Sequence, residues 1–445
     1  KRVFMDRVVH DFLEEMPLED RDRRFFVELC YGSVRHRNTL RAVSEHYLHA
    51  PLEQYHRTVR VALSLGLYQR IYLKTPPHAV VNSTVAAWKQ VAGGRDAPHV
   101  AKSVGLLNAV LRRACDEMEH YPLEAKDRDD PECLRGLEGW VRIPGLGLPS
   151  RADNLPKLFA IKYSHPPDMI RIWRERYPEE TLVQILERNN RPPPIYLVVR
   201  TGRVLPDNLK RRFQLAGHTV EETPYPGVLQ LTSHASIPTL PGYDSGEFWV
   251  QDVTSFHLAQ QLPERKEATL LDLCAAPGGK LATLLDRRQP KSVLACDLHE
   301  GKLRGLAQSL QRLRFDATRL GFLEAPYDPD ELRLEDSFDQ VLVDAPCSNT
   351  GVLNRRHEAR WRYIPEILHS LERTQMGLLK AAARHLKRGG DLLYTTCSLE
   401  PGENSQIAHA FMRAEHELRL VQEVEILPGE GGGDGGYGAL FQRQR

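Results

Sequence analysis

The first quarter of the chain arranges apolar and polar residues with the period of an α-helix. Apolar side chains recur every three or four positions in RRFFVELCYGSVRHRNTLRAVSEHYL, VRVALSLGLYQRIYL, VVNSTVAAWKQV and SVGLLNAVLRRA. This pattern predicts a bundle of short helices over residues 1–115. The opening residues, KRVFMDRVVHDFLEE, read as an amphipathic helix rather than a signal peptide, because charges interrupt every apolar run. We therefore expect the protein to stay in the cytoplasm.

Two basic clusters lie in this helical region. Arg35, His36 and Arg37 are consecutive, and Arg112 and Arg113 end a later segment. They could form a patch that faces RNA, and the alternative is an ordinary solvated helix face. Helical spacing leaves both interpretations open.

The helical pattern stops after residue 115. Residues 116–153 are acidic, lack a sustained apolar period and end in a Gly- and Pro-rich stretch, so we predict a linker or insertion there. A helical pattern then returns, and IYLVVR, LPDNLKRRFQLAG, GVLQLT and EFWVQD follow as strand, helix, strand and strand. We predict a small α/β connecting domain over residues 154–245 and a domain with a larger sheet over residues 246–445.

A glycine turn opens the chemistry of the last domain. ATLLDLCAAPGGK is an apolar strand, a Pro-Gly-Gly turn and the start of a helix, which offers unpaired N–H groups to an anion. The next strand ends in Asp297, about 20 residues later, where an acid can accept hydrogen bonds from ribose hydroxyls. The turn matches neither G-x-G-x-x-G nor G-x-x-x-x-G-K-[ST]. A turn with fewer glycines suits a cofactor with an amino-acid tail, which indicates S-adenosylmethionine.

Two further strands end in polar groups and cysteines. FDQVLV is followed by Asp344 and Cys347, and DLLYTT is followed by Cys397. The carboxyl ends of parallel strands meet at one edge of a sheet, so we expect these three residues to form one site. A free cysteine is more often a small buried hydrophobe. Here both cysteines follow strands directly and lie among Pro, Ser, Thr and Asn, which favours a chemical role.

Composition narrows the class of protein further. The 445 residues, of which 41% are hydrophobic and 27% charged, are typical of two or three globular domains. No run of about 18 apolar residues occurs, so no membrane span is expected. Seven cysteines without a C-x-x-C pair fit neither a disulfide framework nor a zinc site, and we expect reduced thiols and no metal. A net charge of +1 means that any nucleic-acid contact must rest on local basic faces. NRRHEARWRY, after Cys347, has that composition, and a charged helix cap is the alternative.

Three motifs, DLCAAPGGK, VDAPCSNTGVL and YTTCSLEPGEN, strongly resemble those of the RNA (cytosine-5)-methyltransferases of the Sun and NOL1/NOP2 family. The resemblance extends over nearly the whole chain, and the helical region is similar to a NusB-type RNA-binding domain. It implies an α/β fold: a Rossmann-like class I methyltransferase sheet, an N-terminal all-α NusB-like domain and the small α/β connecting domain.

The resemblance also implies roles for individual residues. Cys397 matches the cysteine that attacks C6 of cytosine, Cys347 the one needed to release the product, and Asp344 a residue that faces both cofactor and target base. Asp297 would hold the ribose of S-adenosylmethionine, and Glu324 is the nearest acid to the expected adenine contact. The remaining cofactor-binding residues implied by the resemblance are Cys274, Ala275, Ala276, Pro277, Gly278, Gly279 and Lys280.

The implied activity is methyl transfer from S-adenosylmethionine to C5 of a cytosine in rRNA, with 16S rRNA as the expected substrate and the enzyme acting as a monomer. Other RNA substrates, such as tRNA or 23S rRNA, remain open. A non-catalytic RNA-binding factor would keep only the helical domain in use. A DNA cytosine methyltransferase would usually rely on a single Pro-Cys nucleophile, whereas this chain offers two cysteines.

Overall fold

The computed structural model describes residues 5–73, 75–91, 98–123, 129–326 and 328–444. The first four residues of the predicted opening helix and residues 124–128 of the predicted linker lie outside the described residues. The chain forms two compact units, Lys1–Arg191 and Pro192–Arg445. In the described part, no helix has the length and apolar character needed to cross a bilayer.

The first unit begins with the predicted helical bundle. Its helices are α1 (Met5–Glu15), α2 (Asp20–Arg35), α3 (Arg37–Tyr47), α4 (Arg57–Tyr72), α5 (Pro77–Val91) and α6 (Pro98–Glu117). Helix α4 lies at the centre, in contact with α2, α3, α5 and α6. Its Leu63 and Leu67 are fully buried, as the apolar spacing of VRVALSLGLYQRIYL predicts.

A small sheet lies where the sequence predicts a linker. Strands β1 (Glu119–Pro122), β2 (Cys133–Arg135) and β3 (Gly139–Arg142) pair antiparallel in the order β1-β3-β2. Of the two predicted alternatives for residues 116–153, a linker or an insertion, the plain linker therefore needs correction, because the segment has a sheet of its own. Strands of three or four residues bury only a few apolar side chains, here including Leu134 and Val141, so they leave no sustained period in the sequence.

Three helices complete the first unit: α7 (Arg151–Lys162), α8 (Pro167–Arg176) and α9 (Glu179–Asn190). Chain contacts thus group these helices with the bundle, whereas the predicted connecting domain begins at residue 154. The boundary at Arg191 follows from packing of α7 against α3 and α8. Such contacts between distant segments are not visible in local sequence patterns.

The proposed RNA-facing basic patch is only partly on the surface. Arg35 and His36 are 6% and 5% exposed, and the His36 ring stacks on Tyr72 with 3.7 Å between ring centroids. Arg113 is exposed, but its Nε lies 2.8 Å from Oε1 of Glu117. Neither of the two interpretations left open above, an RNA-facing patch or a solvated helix face, holds for Arg35 and His36, because the end of α2 packs into the bundle.

The second unit begins with a four-stranded antiparallel sheet. Its strands are β4 (Ile195–Val199), β5 (Val220–Glu222), β6 (Val228–Leu231) and β7 (Phe248–Val250), in the order β5-β6-β4-β7. Helix α10 (Pro206–Leu215) packs its buried Leu209 and Phe213 against this sheet, and α11 (Val253–Ala259) follows β7. The predicted alternation of strands and helix is confirmed.

A seven-stranded sheet forms the rest of the second unit. Its strands are β8 (Thr269–Asp272), β9 (Ser292–Asp297), β10 (Leu320–Glu324), β11 (Phe338–Asp344), β12 (Leu386–Thr396), β13 (Leu418–Ile426) and β14 (Gly436–Arg443). Their order is β10-β9-β8-β11-β12-β14-β13, and β14 runs antiparallel to both of its neighbours. The first five strands are parallel, so their carboxyl ends share one edge.

Both faces of this sheet are buried. The helices are α12 (Gly279–Arg287), α13 (Glu300–Arg312), α14 (Pro365–Arg384) and α15 (Ser405–Ala414). Along β8, Leu270 joins the core that contains residues of α12 and α13, and Leu271 joins the core that contains residues of α14 and α15. Alternate side chains of a strand point to opposite faces, which explains the continuous apolar runs in the sequence.

Candidate active site

The glycine turn joins the end of β8 to the start of α12. Gly278 has φ +103°, a conformation that L side chains rarely adopt. A Cβ built on Gly278 would lie 2.2 Å from Cδ1 of Leu306, so a side chain would also displace a core residue. The turn therefore requires glycine here, and it brings bare backbone to the carboxyl edge of the sheet.

The two acids predicted to contact adenosine lie on neighbouring strand ends. Asp297 ends β9, and its Oδ2 accepts a 3.3 Å hydrogen bond from the Ala276 N–H of the glycine turn. Glu324 ends β10 opposite Asp297 in the strand register, and its Oε1 accepts a 3.3 Å hydrogen bond from the N–H of Glu300. Glu324 is exposed and Asp297 is buried. Their contacts with a cofactor stay predictions.

The two predicted catalytic cysteines meet. The Sγ atoms of Cys347 and Cys397 lie 3.2 Å apart, although 50 residues separate them in sequence. The reason is that β11 and β12 are adjacent parallel strands, with Asp344 opposite Thr395. The hydrogen bond with Cys397, followed by burial, raises the pKa of Cys347 well above its ordinary value. Cys347 is therefore a protonated thiol at neutral pH.

Asn349 completes the cysteine pair. It has φ +62°, and its Oδ1 accepts a 3.4 Å hydrogen bond from the Cys397 thiol. Its amide also donates to the carbonyl of Cys347, at 2.8 Å. The sequence patterns above did not single out this residue. The available signal was its place two residues after Cys347, since asparagine tolerates the left-handed conformation of a tight turn.

Lys280 and Asp344 form an ion pair beside the cysteines. Nζ of Lys280 lies 2.8 Å from Oδ1 of Asp344, and the Thr395 hydroxyl donates to the same oxygen at 2.9 Å. Burial is the largest single influence and lowers the pKa of Lys280, but the attraction and hydrogen bond of Asp344, together with the charges of Cys397 and Asp272, outweigh it. The net pKa is above the ordinary value, so Lys280 is a cation that holds Asp344 and interacts with Cys397.

Two neighbouring groups at the end of β8 favour their protonated forms. Burial, followed by the charge of Asp344, raises the pKa of Asp272 to about 8. Burial, followed by the charges of Asp272, Asp344 and Asp297, raises the pKa of Cys274 well above its ordinary value. Cys274 is thus a thiol that lines the site and is unsuited to act as a nucleophile.

A cavity of about 590 Å³ opens beside the glycine turn and the Lys280–Asp344 pair. This volume lies in the range of small-molecule sites, roughly 300–1,000 Å³. Of the predicted site residues in the described part, Asp297, Glu324, Ala276 and the cysteine pair are not among those lining it. The predicted site residues in its wall are Cys274, Ala275, Pro277, Gly278, Gly279, Lys280 and Asp344.

The basic segment after Cys347 is largely occupied by internal contacts. Nε of Arg355 lies 2.6 Å from Oδ2 of Asp434, and Nη2 lies 3.1 Å from Oδ2 of Asp252. Arg360 is completely buried. Nucleic-acid contact is therefore excluded for Arg360, which the protein interior encloses. Arg355 is 30% exposed and lies in the wall of the same cavity, so its contact with nucleic acid stays a prediction.

Family models match three parts of the chain. Residues 1–116 match the NusB family, residues 165–238 the ferredoxin-like domain of RsmF/B-like methyltransferases, and residues 259–433 the 16S rRNA methyltransferase RsmB/F. Ribosomal RNA small subunit methyltransferase B from Vibrio cholerae is 30% identical over 439 residues, which cover 97% of this chain and 92% of the relative. The chain belongs to the RsmB/F family.

A second relative supports the same family assignment. Ribosomal RNA small subunit methyltransferase B from Yersinia enterocolitica is 31% identical over 431 residues, with 94% of this chain and 90% of the relative covered. The predicted resemblance is confirmed, and the chain is an enzyme whose methyl donor is S-adenosylmethionine. This RsmB/F membership decides against the non-catalytic factor and the DNA methyltransferase.

Solved structures share the fold of this RsmB/F protein. The crystal structure of PH0851 matches with a TM-score of 0.76 at 20% identity, and covers 97% of this chain and 93% of that chain. NSun6 from Pyrococcus horikoshii with SFG matches with a TM-score of 0.56 at 17% identity, and covers 63% and 98%. The predicted fold class, with NusB-like, connecting and methyltransferase parts, is confirmed.

Proposed function

We propose that this RsmB/F protein methylates C5 of a cytosine in 16S rRNA through a covalent bond between Cys397 and C6 of the base. The observation that carries the proposal is the 3.2 Å separation of the Cys347 and Cys397 sulfurs beside the Lys280–Asp344 pair. The named activity of the relatives from Vibrio cholerae and Yersinia enterocolitica supports an rRNA substrate. S-adenosylmethionine, when bound, supplies an electrophilic methyl group.

Cys397 is the proposed nucleophile. Cytosine C5 is too weakly nucleophilic to accept a methyl group unaided, and addition of a thiolate at C6 makes C5 an enamine carbon that can do so. A thiol needs local stabilisation of its anion, since an ordinary thiol is only a few per cent ionised at neutral pH. We assign that role to the Lys280 cation, whose own pKa is raised in part by the charge of Cys397.

Asp344 is the proposed contact for the base. Lys280 and Thr395 both bind its Oδ1, and Oδ2 has no hydrogen-bond partner in the described part of the chain. A carboxylate oxygen in this position can accept a hydrogen bond from the exocyclic amine of cytosine. Asp344 would thereby orient C6 toward Cys397.

Cys347 is the proposed release residue. After methyl transfer, a solvent water molecule accepts the C5 proton, the electron pair of that C–H bond reforms the C5–C6 double bond, and the bond from C6 to Cys397 breaks with its electron pair going to the Cys397 sulfur. Cys347 remains a thiol because its pKa is high, and it lies within hydrogen-bond distance of the departing sulfur. A thiol that donates to Cys397 lowers the energy of the thiolate as it leaves.

The cofactor site rests on the glycine turn, Lys280 and the acids at the ends of β9 and β10. The turn fits a small-molecule cofactor, because it places bare backbone at the wall of the 590 Å³ cavity. The first N–H groups of α12 suit a carboxylate tail. Asp297 would bind the ribose and Glu324 would lie near the adenine.

The roles of the cysteines are tested with separate variants and labelled rRNA. Cys397→Ala should abolish methyl transfer, whereas Cys347→Ala should accumulate a protein–RNA adduct that survives a denaturing gel. Cys115→Ala, which removes a buried thiol of the helical bundle, is the matched control and should behave like the wild type. Free, fully methylated RNA from either active-site variant would contradict the assignment.

Bisulfite sequencing of RNA from a deletion strain identifies the substrate. Loss of one methylated cytosine in 16S rRNA is expected, and loss in 23S rRNA or tRNA instead would redirect the proposal. A 16S rRNA substrate places the enzyme in the cytoplasm. We also infer a monomer that uses no metal, because the proposed thiol chemistry is complete within one chain. Light scattering and activity after chelation test both points.

A further inference from the structure

A fully buried carboxylate lies under the cysteine pair. Glu403 is 0% exposed and sits on the 3-10 turn Pro401–Glu403, six residues after Cys397. In the described part of the chain, no lysine or arginine forms an ion pair with it. Burial raises its pKa, and its hydrogen bonds oppose that rise. A buried carboxylate without a cation is costly unless its oxygens are well satisfied.

The partners of Glu403 are the residues that directly follow the two cysteines. Oε1 accepts a 2.9 Å hydrogen bond from the N–H of Ser348, and Oε2 accepts one from the Ser348 hydroxyl. The Ser398 hydroxyl donates to the same Oε2 at 2.5 Å. The two serine oxygens are 3.1 Å apart. One carboxylate thus ties together the loop after β11 and the loop after β12.

A third element anchors this connection. Nε2 of Gln375, on α14, donates to Oε1 of Glu403 at 3.0 Å and to the carbonyl of Pro346 at 2.9 Å. Gln375 is itself fully buried. The Glu403 carboxylate thus accepts four hydrogen bonds, two from Ser348, one from Ser398 and one from Gln375. An ionised carboxylate can accept all four, because it carries no proton of its own that would need an acceptor. Gln375 therefore holds Pro346 while Glu403 holds Ser348, so the residues on both sides of Cys347 are fixed.

We propose that Glu403 is a positioning residue that sets the separation of the Cys347 and Cys397 sulfurs through Ser348 and Ser398. This inference rests on the proposed function, because the sulfur pair matters only if both thiols act on one base. Glu403 touches neither base nor cofactor in this role. Its removal should lower kcat at least tenfold and leave the Kd for S-adenosylmethionine unchanged.

Phenylarsine oxide measures the sulfur pair without any methyl transfer. One arsenical condenses with two neighbouring thiols, so that two As–S bonds form, the As–O bonds break and the two thiol protons leave in one water molecule. Intact mass spectrometry should show one equivalent of the arsenical bound to the wild-type protein. This equivalent should be absent from both the Cys347→Ala and the Cys397→Ala variants. Glu403→Ala should weaken this binding at least tenfold, and Glu403→Gln, which keeps shape and one acceptor, should restore most of it.

Glu400→Ala is the matched control, because it also removes a buried carboxylate, and Glu400 lies directly before the same turn. The Glu400 carboxylate accepts a 2.9 Å hydrogen bond from the Tyr363 hydroxyl. The Glu400→Ala variant should bind the arsenical like the wild type. If Glu403→Ala does not fold, as judged by circular dichroism, the Ser348→Ala/Ser398→Ala double variant removes the same ties and should show the same loss. Unchanged binding by a folded Glu403→Ala overturns the positioning role. Failure of the wild type to bind through both cysteines instead overturns the paired-thiol mechanism.

Discussion

Replacing Gly278 by alanine should weaken binding of S-adenosylmethionine far more than it unfolds the protein. Gly278 has φ +103°, and holding an L residue in such a conformation costs about 1–3 kcal/mol. The new Cβ would also lie 2.2 Å from Cδ1 of Leu306, a side chain that is 1% exposed. Forcing a core side chain aside costs about 1–3 kcal/mol more.

The turn can relieve this strain by changing shape, and the cofactor would then lose its fit to the backbone. A loss of about 1.4 kcal/mol in binding raises Kd tenfold, so a share of the strain suffices for a tenfold effect. Calorimetric titration of the full-length protein with S-adenosylmethionine measures Kd directly. Urea unfolding of the same sample measures the part of the strain that appears as lost stability.

Gly305→Ala is the control for this experiment. Gly305 lies within α13, and a Cβ there would meet no atom within 4 Å. Alanine is a better helix former than glycine by about 1 kcal/mol, so this variant should be slightly more stable and bind normally. A Kd for Gly278→Ala within twofold of the wild type would refute the idea that bare backbone at this turn receives the cofactor.

Three further changes test neighbouring features. Lys280→Met should lower kcat/KM about 10-fold to 100-fold, because Asp344 and the Cys397 anion lose a neighbouring cation. This range already allows for screening by solvent, since the Asp344 side chain is 35% exposed. A kcat/KM equal to that of the wild type would contradict the prediction. Asp272→Asn tests a carboxyl whose pKa rises from 3.8 to about 8 on folding. The folded state then holds a proton that the unfolded state releases, so wild-type stability falls as pH rises across that window, by up to about 1.4 kcal/mol per pH unit. The advantage of Asp272→Asn in urea unfolding should therefore be larger at pH 8 than at pH 5, and a pH-independent difference would exclude the shift. Gly351→Ala would place a Cβ 2.9 Å from the carbonyl oxygen of Cys397, and should slow adduct formation in gels at least tenfold.

The positions of the candidate site residues at strand ends were predictable, because these residues obey a local rule. Apolar runs that stop at an acid or a cysteine mark the carboxyl ends of strands, and parallel pairing brings such ends to one edge. That rule is enough to place Asp344, Cys347 and Cys397 in one site from the sequence alone. The glycine turn was equally local, since its conformation depends on a few consecutive residues.

The basic residues show where this reasoning stops. Arg35 and Arg355 read as free surface charges, because a local pattern cannot show which distant element covers a side chain or supplies an acid that pairs with it. Arg355 is held by Asp252 and Asp434, which lie 103 and 79 residues away in sequence. The small sheet in residues 116–153 was not predicted for a related reason, since strands of three or four residues contain too few apolar positions to show a period in the sequence.

The sequence by itself therefore determined most of the element types, the strand that carries each candidate chemical group, and the cofactor that those groups suit. Only the tertiary structure decided that Lys280 pairs with Asp344, that Asn349 contacts Cys397, and that Glu403 ties the two cysteine loops together. Each of these contacts joins segments whose distance depends on strand order and helix packing. Local periodicity reports which face of an element is apolar, and it carries no information about which side chain of another element meets that face.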